Sequence, residues 1–257
     1  MPIVTTDAST IILIPQLIPL VTGAVVAGLV QGISGFAFGM VAMSVWAWGI
    51  DPVEATTLAV FGGLCGQVFA ALTTRRRMTA PELLPFLMGG LIGIPIGTYL
   101  LPHLDAMQFE LLLGAILVVA CPLMLAAPRI HYVDSVGRTG DGVAGFTGGV
   151  IGGLSGMTGV APAIWCVLRG YEKSRQRELL QNFNLTTLAA AMVALMWRGA
   201  VTKAMIPRLG IVAIAMLVPA MLGARIYRQL SDAAFRRVVL ILLTLSGVAL
   251  IASAVRG

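Results

Sequence analysis

The sequence predicts an all-α, polytopic membrane protein made of two inverted-topology repeats. Each repeat opens with a glycine-broken helix pair, and the whole has about 8–10 membrane segments. Three observations lead there. Residues of the AVILMFWYC set make up 58% of the 257-residue chain and charged residues only 11%, against about 25% charged in a soluble domain. The apolar residues fall into runs long enough to cross a bilayer. The order of those runs, and two short glycine motifs within them, occur twice. A mean hydropathy of +0.94 excludes a soluble enzyme and a disordered chain, because a soluble globule could not cover so much apolar surface. The net charge of +6 is read as basic loops on the cytoplasmic face of a membrane, not as a nucleic-acid surface. Cys65, Cys121 and Cys166 sit far apart in apolar runs and have no metal-ligand or disulfide spacing. No metal and no cofactor is expected. The first basic residue is Arg75, so no signal peptide is expected.

The elements follow in order. The first apolar run, Ile11 to Ile50, is too long for one crossing and is interrupted by Gly32-Ile33-Ser34-Gly35-Phe36-Ala37-Phe38-Gly39. It reads as a helix over 11–33 and a short one over 36–49, a broken pair covering 11–49. The short helix is about 21 Å long and crosses only part of the core. Asp51-Pro52 starts a span over 52–74, closed by Arg75-Arg76-Arg77. Spans over 81–101 and 106–127 complete an N-terminal repeat, 1–127. A polar linker over 128–141 follows, with Arg129, His131, Asp134, Arg138 and Asp141. The C-terminal repeat, 142–257, has a broken pair over 142–168, a charged connection from Arg169 to Glu178, and spans over 180–197, 207–228 and 234–254.

Gly32-Ile33-Ser34-Gly35 matches Gly153-Leu154-Ser155-Gly156 at an offset of 121, and Thr56-Thr57-Leu58-Ala59 matches Thr186-Thr187-Leu188-Ala189 at an offset of 130. Five segments per repeat is an odd number, so the second repeat is inverted if all five cross. The loop charges agree. Residues 75–77, 128–141, 169–178 and 225–237 hold 13 of the 17 Lys and Arg. Placing these loops in the cytoplasm puts both termini outside an inner membrane.

Backbone that leaves helical geometry inside a bilayer is tolerated only where protein or a water-filled cavity covers it. Paired breaks in inverted repeats mark a transporter site near the midplane. The short helices start at the breaks, so their amide ends point into the site and favour an anion. Gly35 and Gly156 let a ligand reach the backbone. Ser34, Ser155 and Thr158 supply hydroxyls. Gln31, Gln67, Asn182 and Asn184 are further polar candidates within spans, and Phe36 borders the first break. Thr57, Thr186 and Thr187 are read as bonding the preceding turn, and Thr56 with them. Gly89, Gly90, Gly93 and Gly97 are read as packing residues. Trp46, Trp48, Trp165 and Trp197 are read as interfacial anchors. No acid or base is placed mid-membrane. Glu54, Glu82, Glu110 and Glu178 lie near segment ends, which disfavours a cation transporter.

GLVQGISGFAFG at 28–39, the passage GIDPVEAT at 49–56 and GGVIGGLSGMTG at 148–159 resemble the TauE/SafE membrane permeases, as does the order of segments over 15–255. The resemblance implies export of sulfite, sulfoacetate or related organosulfonates. Phe36, Phe38, Met157 and Thr158 are bulkier than the glycine-rich family pattern, which favours an organic tail on the anion. The implied partners are a small anionic substrate and the lipid bilayer, with no nucleic acid. The other readings are a transporter of an unrelated small solute, a membrane assembly subunit without flux, and a membrane-embedded enzyme. The last lacks a nucleophile–base pair or a metal cluster in the sequence.

Overall fold

The computed structural model describes residues 8–73, 80–126, 137–226 and 232–256. The described chain is helical: α1 (Ala8–Ser34), α2 (Phe38–Trp46), α3 (Pro52–Thr73), α4 (Ala80–Leu100), α5 (Ala106–Ala126), α6 (Gly137–Ser155), α7 (Val160–Leu168), α8 (Lys173–Trp197), α9 (Ile206–Ile226) and α10 (Asp232–Arg256). Single 3₁₀ turns precede α5 and α9. Among the described residues, six helices are long and apolar enough to cross a membrane: those holding Leu17–Ser34, Pro52–Thr73, Pro81–His103, Ala106–Ala126, Ser174–Trp197 and Lys203–Arg225. The chain is a multi-pass, all-α membrane protein. The Arg75–Arg77 loop and residues 128–136 of the linker lie outside the described residues.

Two boundaries differ from expectation. α6 begins at Gly137, not 142, so the end of the polar linker is helix. α8 begins at Lys173, not 180, so most of the charged connection is its first turns. At α8, charge marks the end of an apolar run, but Lys, Arg, Gln and Glu are good helix formers. The added turn of α6, Gly137-Arg138-Thr139-Gly140-Asp141, is poor in helix formers and is held by its packing and hydrogen bond to Trp165. The short helices are also trimmed at their ends, α2 to nine residues.

The broken pairs are hairpins. If α2 continued along the axis of α1, Trp46 would stand about 34 Å from Gly23. Instead a methyl group on Gly23 would meet the Trp46 ring at 2.2 Å, and Trp46 Nε1 donates to the Pro19 carbonyl at 3.1 Å. The second pair folds the same way. A methyl on Gly140 would meet Trp165 at 2.2 Å, and Trp165 Nε1 donates to Asp141 Oδ1 at 2.7 Å. Trp46 is therefore fully buried, and Trp165 is tied back to α6. Neither is the interfacial anchor expected of it, because each clamps the far end of a hairpin onto a glycine. Trp48 and Trp197 are exposed. Asp141, placed by sequence in an open linker, is buried as the acceptor for Trp165.

The closest helix pairings are α4 with α6, α1 with α9, and α5 with α10. Exchanging each helix for the one five places along maps α1·α9 onto α6·α4 and α4·α8 onto α9·α3, while α3·α8 and α5·α10 map onto themselves. Ion pairs follow the same exchange with the charges swapped: Glu82 of α4 with Arg175 of α8, and Arg208 of α9 with Glu54 of α3. The α4–α6 seam is made by glycine, as expected. A methyl on Gly149 would lie 2.3 Å from the Gly90 carbonyl oxygen, so the two backbones pack directly. α6 has eight glycines in 19 residues, which lowers its hydropathy although it packs as a core helix.

Candidate functional site

The two breaks are built alike. α1 ends at Ser34, and Gly35 turns the chain at φ +86°; α6 ends at Ser155, and Gly156 does so at φ +73°. These are left-handed conformations that only glycine adopts without strain. Each turning glycine still donates its N–H back one turn, Gly35 to Gln31 and Gly156 to Gly152, both at 2.7 Å. α2 and α7 then run back along α1 and α6.

A hairpin brings two helix ends of opposite polarity to each break. The amide end of the short helix is partly positive, but the carbonyl end of the long helix beside it is partly negative. The carbonyl end must be satisfied before the site can favour an anion. At the second break this is done by Thr56 of α3, whose hydroxyl donates to the Leu154 carbonyl at 2.8 Å. Thr56 thus departs from the turn-bonding role expected of it. Thr57, Thr186 and Thr187 do bond to the preceding turn. At the first break the donors come from two helices. Gln67 Nε2 of α3 donates to Gly35 O at 2.8 Å. Arg177 of α8 donates to the carbonyls of Ile33 at 3.3 Å and Gly32 at 3.4 Å.

The breaks touch each other. A methyl on Gly39, in the first turn of α2, would lie 2.6 Å from Gly156 O. A methyl on Gly159, at the N-terminus of α7, would lie 2.9 Å from Asn184 Nδ2 and 3.1 Å from Phe36 Cδ2. Phe36, Asn184, Thr158 and the start of α7 therefore share one locus. Asn184 is fully buried, and its amide is oriented by Thr158, whose hydroxyl donates to Oδ1 at 2.8 Å. That leaves Nδ2, a buried donor with no hydrogen-bond partner. A buried donor in this position is costly unless an acceptor arrives. Asn184 stands 11 residues into α8, about 16 Å along it. It is deep in the bundle, not beside the charged end that the sequence suggested.

The remaining candidates divide. The Ser34 hydroxyl oxygen accepts from the amides of Phe36 and Ala37 at 3.3 and 3.2 Å, in the turn just ahead of α2. The Ser155 hydroxyl donates to Ile151 O of its own helix at 2.7 Å, so it bonds inside α6 and not across the break. Gln31 Nε2 donates to Gly63 O at 3.1 Å and braces α1 against α3. Asn182 Nδ2 donates to Glu178 O on its own helix and is two residues from Asn184, hence on another face. Gln67, Ser34, Gly35 and Phe36 gather at the first break. Ser155, Gly156, Thr158 and Asn184 gather at the second.

Sequence reasoning missed two residues at the site. Arg177 Nε and Gln181 Nε2 lie 3.4 and 3.3 Å from where a methyl on Gly35 would sit. Contrary to expectation, a base does stand at a break. The signal was present in the spacing: Arg177, Gln181, Asn184, Leu188, Ala191 and Leu195 recur at intervals of three and four, one face of a single helix. Reading 169–178 as a connection cut that face in two.

Among the described residues, helices long and apolar enough to cross a bilayer, with two helix breaks that touch each other inside the bundle, make the frame of a multi-pass membrane protein. The family model described as Sulfite exporter TauE/SafE matches residues 20–250. The chain belongs to that family of membrane transporters. No curated protein matches it.

Proposed function

We propose that the protein is a secondary transporter of the inner membrane that exports small sulfur-containing anions, sulfite or organosulfonates such as sulfoacetate, by alternating access. The anion binds where the starts of α2 and α7 converge. The observation that carries this reading is Asn184 Nδ2, a fully buried donor without a protein acceptor, at the amide end of α7. An oxyanion satisfies both at once. Phe36 stands beside this locus and gives an organic tail an apolar surface. The exchange symmetry of the helix pairings supports two repeats, 1–127 and 142–257, moving against each other. The inverted arrangement, with both termini outside, rests on the loop charges. The chain acts as a transporter and not an enzyme, with the bilayer and the anion as its partners and no cofactor.

The test is sulfite efflux from vesicles containing the purified protein. Efflux is expected to require the protein and to be inhibited by sulfoacetate and not by a cationic amino acid. In the Ser34→Ala, Ser155→Ala double variant the flux is expected to fall several-fold, through loss of the Ser34 bonds that hold the turn ahead of α2, while the protein stays folded. A hydrogen bond of this kind contributes about 1 kcal/mol. Unchanged flux in the folded double variant would rule out a part for the hydroxyls. Inhibition by the cation alone would rule out the anion reading.

A further inference from the structure

A carboxamide has nearly the same shape either way round, so its direction is set by the bonds its two ends make. At Asn184 the oxygen accepts from the Thr158 hydroxyl at 2.8 Å, and Nδ2 has no partner. Both side chains are buried. Among the described residues the Thr158 hydroxyl makes no other bond. With the amide turned over, Nδ2 would donate to the Thr158 oxygen. Two groups would then lack partners, Oδ1 and the hydroxyl hydrogen, in place of one. Each buried group left unsatisfied shifts an equilibrium by about 5- to 150-fold. The amide end of α7 pulls the other way, because it favours an oxygen over an NH2 group, but by at most about fivefold. The Thr158 hydroxyl therefore decides which end of Asn184 is left over.

The two branches of Thr158 have separate tasks. Its methyl group, Cγ2, packs on α6: a methyl on Gly152 would lie 2.2 Å from it. Its hydroxyl reaches away to α8 and Asn184. Making a break does not require that hydroxyl. At the 121-residue offset that aligns the two glycine motifs, the first break has Ala37 in the place of Thr158, and the chain still turns at Gly35 and enters α2. The hydroxyl therefore calls for a reason beyond forming the turn.

Resting on the anion-transport reading above, we infer that Thr158 is a positioning residue: its hydroxyl holds the Asn184 amide with Nδ2 turned to the anion, and does not itself touch the anion. The sequence suggested a hydroxyl offered directly to the ligand. In the structure the one hydrogen of that hydroxyl is committed to Asn184 Oδ1, so the donor that meets the anion belongs to Asn184. Without the hydroxyl, the amide end of α7 draws the oxygen round, and only a fraction of the protein presents Nδ2. The apparent affinity for an anion falls by that fraction.

The experiment measures sulfite efflux from vesicles holding the full chain, beside the melting temperature of each preparation. Thr158→Val keeps the methyl and removes the hydroxyl. It is expected to raise the half-saturating sulfite concentration by about two- to sixfold and to change maximal flux little. Thr158→Ser keeps the hydroxyl and removes the methyl that packs on Gly152. It is expected to lower the melting temperature and to recover most of the affinity that Thr158→Val loses. Asn184→Leu removes the amide, and in that background Thr158→Val is expected to have no further effect on half-saturation. The melting temperature is expected to rise in the same step, because two apolar groups then replace a broken polar pair. A purely structural Thr158 would make Val and Ser alike in half-saturation, which overturns the inference. So does an equal effect of Thr158→Val with and without Asn184, which would mean that the hydroxyl touches the anion itself. Should Thr158→Val fail to fold, or Asn184→Leu carry no flux, Thr158→Ala is compared with Thr158→Ser, from which it differs by the hydroxyl alone; equal half-saturation in these two overturns the inference. Absence of saturable sulfite efflux in the wild type overturns the anion reading itself, a result distinct from equal values across the variants.

Discussion

Asn184→Asp is expected to abolish anion binding while leaving the fold intact. The substitution is isosteric and keeps the oxygen that accepts from the Thr158 hydroxyl. The buried Nδ2 donor becomes a carboxylate oxygen at the amide end of α7. Two like charges about 4 Å apart at an effective dielectric near 20 repel by about 4 kcal/mol, on the order of a thousandfold in affinity. A loss of at least about 100-fold allows for partial relaxation. The measurement is the half-saturating sulfite concentration for efflux, beside the melting temperature of the same preparation. The sign of the effect carries the information. A site that recognises cations would gain from the new carboxylate, and tighter binding of a cation by Asn184→Asp would reverse the assignment.

Gly156→Ala is expected to remove transport through the backbone. An L-residue at the +73° φ of Gly156 costs about 1–2 kcal/mol. The added methyl would also lie 3.1 Å from Ala59 Cβ and from the Val60 amide of α3, in a fully buried position. α3 carries both Thr56 and Gln67, which hold the carbonyl ends of the two breaks. Displacing α3 disturbs both. Gly199→Ala separates strain from packing, because Gly199 has φ +75° and nothing near its would-be methyl. The expected pattern is a lower melting temperature in both variants and loss of sulfite efflux in Gly156→Ala alone. Loss of efflux in both would mean that general destabilisation, not the geometry of the break, is responsible.

Much of this architecture was legible in the sequence, because bilayer-spanning helices must be long and apolar and because a break needs glycine. Gly35 and Gly156 stand out on those grounds, and the structure gives them the left-handed backbone that requires glycine. Other features were hidden for physical reasons. The hairpin fold of the broken pairs is a tertiary fact: the clamps of Trp46 on Gly23 and Trp165 on Gly140 link residues more than 20 positions apart. The opposing carbonyl ends of α1 and α6 became visible only once the hairpins were known, and with them the roles of Thr56, Gln67 and Arg177. Arg177 and Gln181 were obscured by composition. Four basic residues in ten, from Arg169 to Glu178, look like a solvated connection, yet from Lys173 onward they form a helix with one face turned into the bundle. Asn184 was flagged as polar, but its depth depended on where α8 begins.

The central claim is that a sulfur oxyanion binds at the meeting of the two breaks. Ligand-dependent thermal stabilisation of the purified protein tests it most directly. The panel is sulfite, sulfate, thiosulfate, taurine, sulfoacetate and a bulkier sulfonate, with chloride and a cationic amino acid as controls, run on wild type and on Asn184→Asp. A ligand at 100 times its dissociation constant stabilises the folded state by about 2.7 kcal/mol, enough to read as a shift of several degrees. The account predicts a shift with sulfur oxyanions in the wild type, none in Asn184→Asp, and none with the controls. A shift with the cationic control alone, or an equal sulfite shift in both proteins, would contradict it.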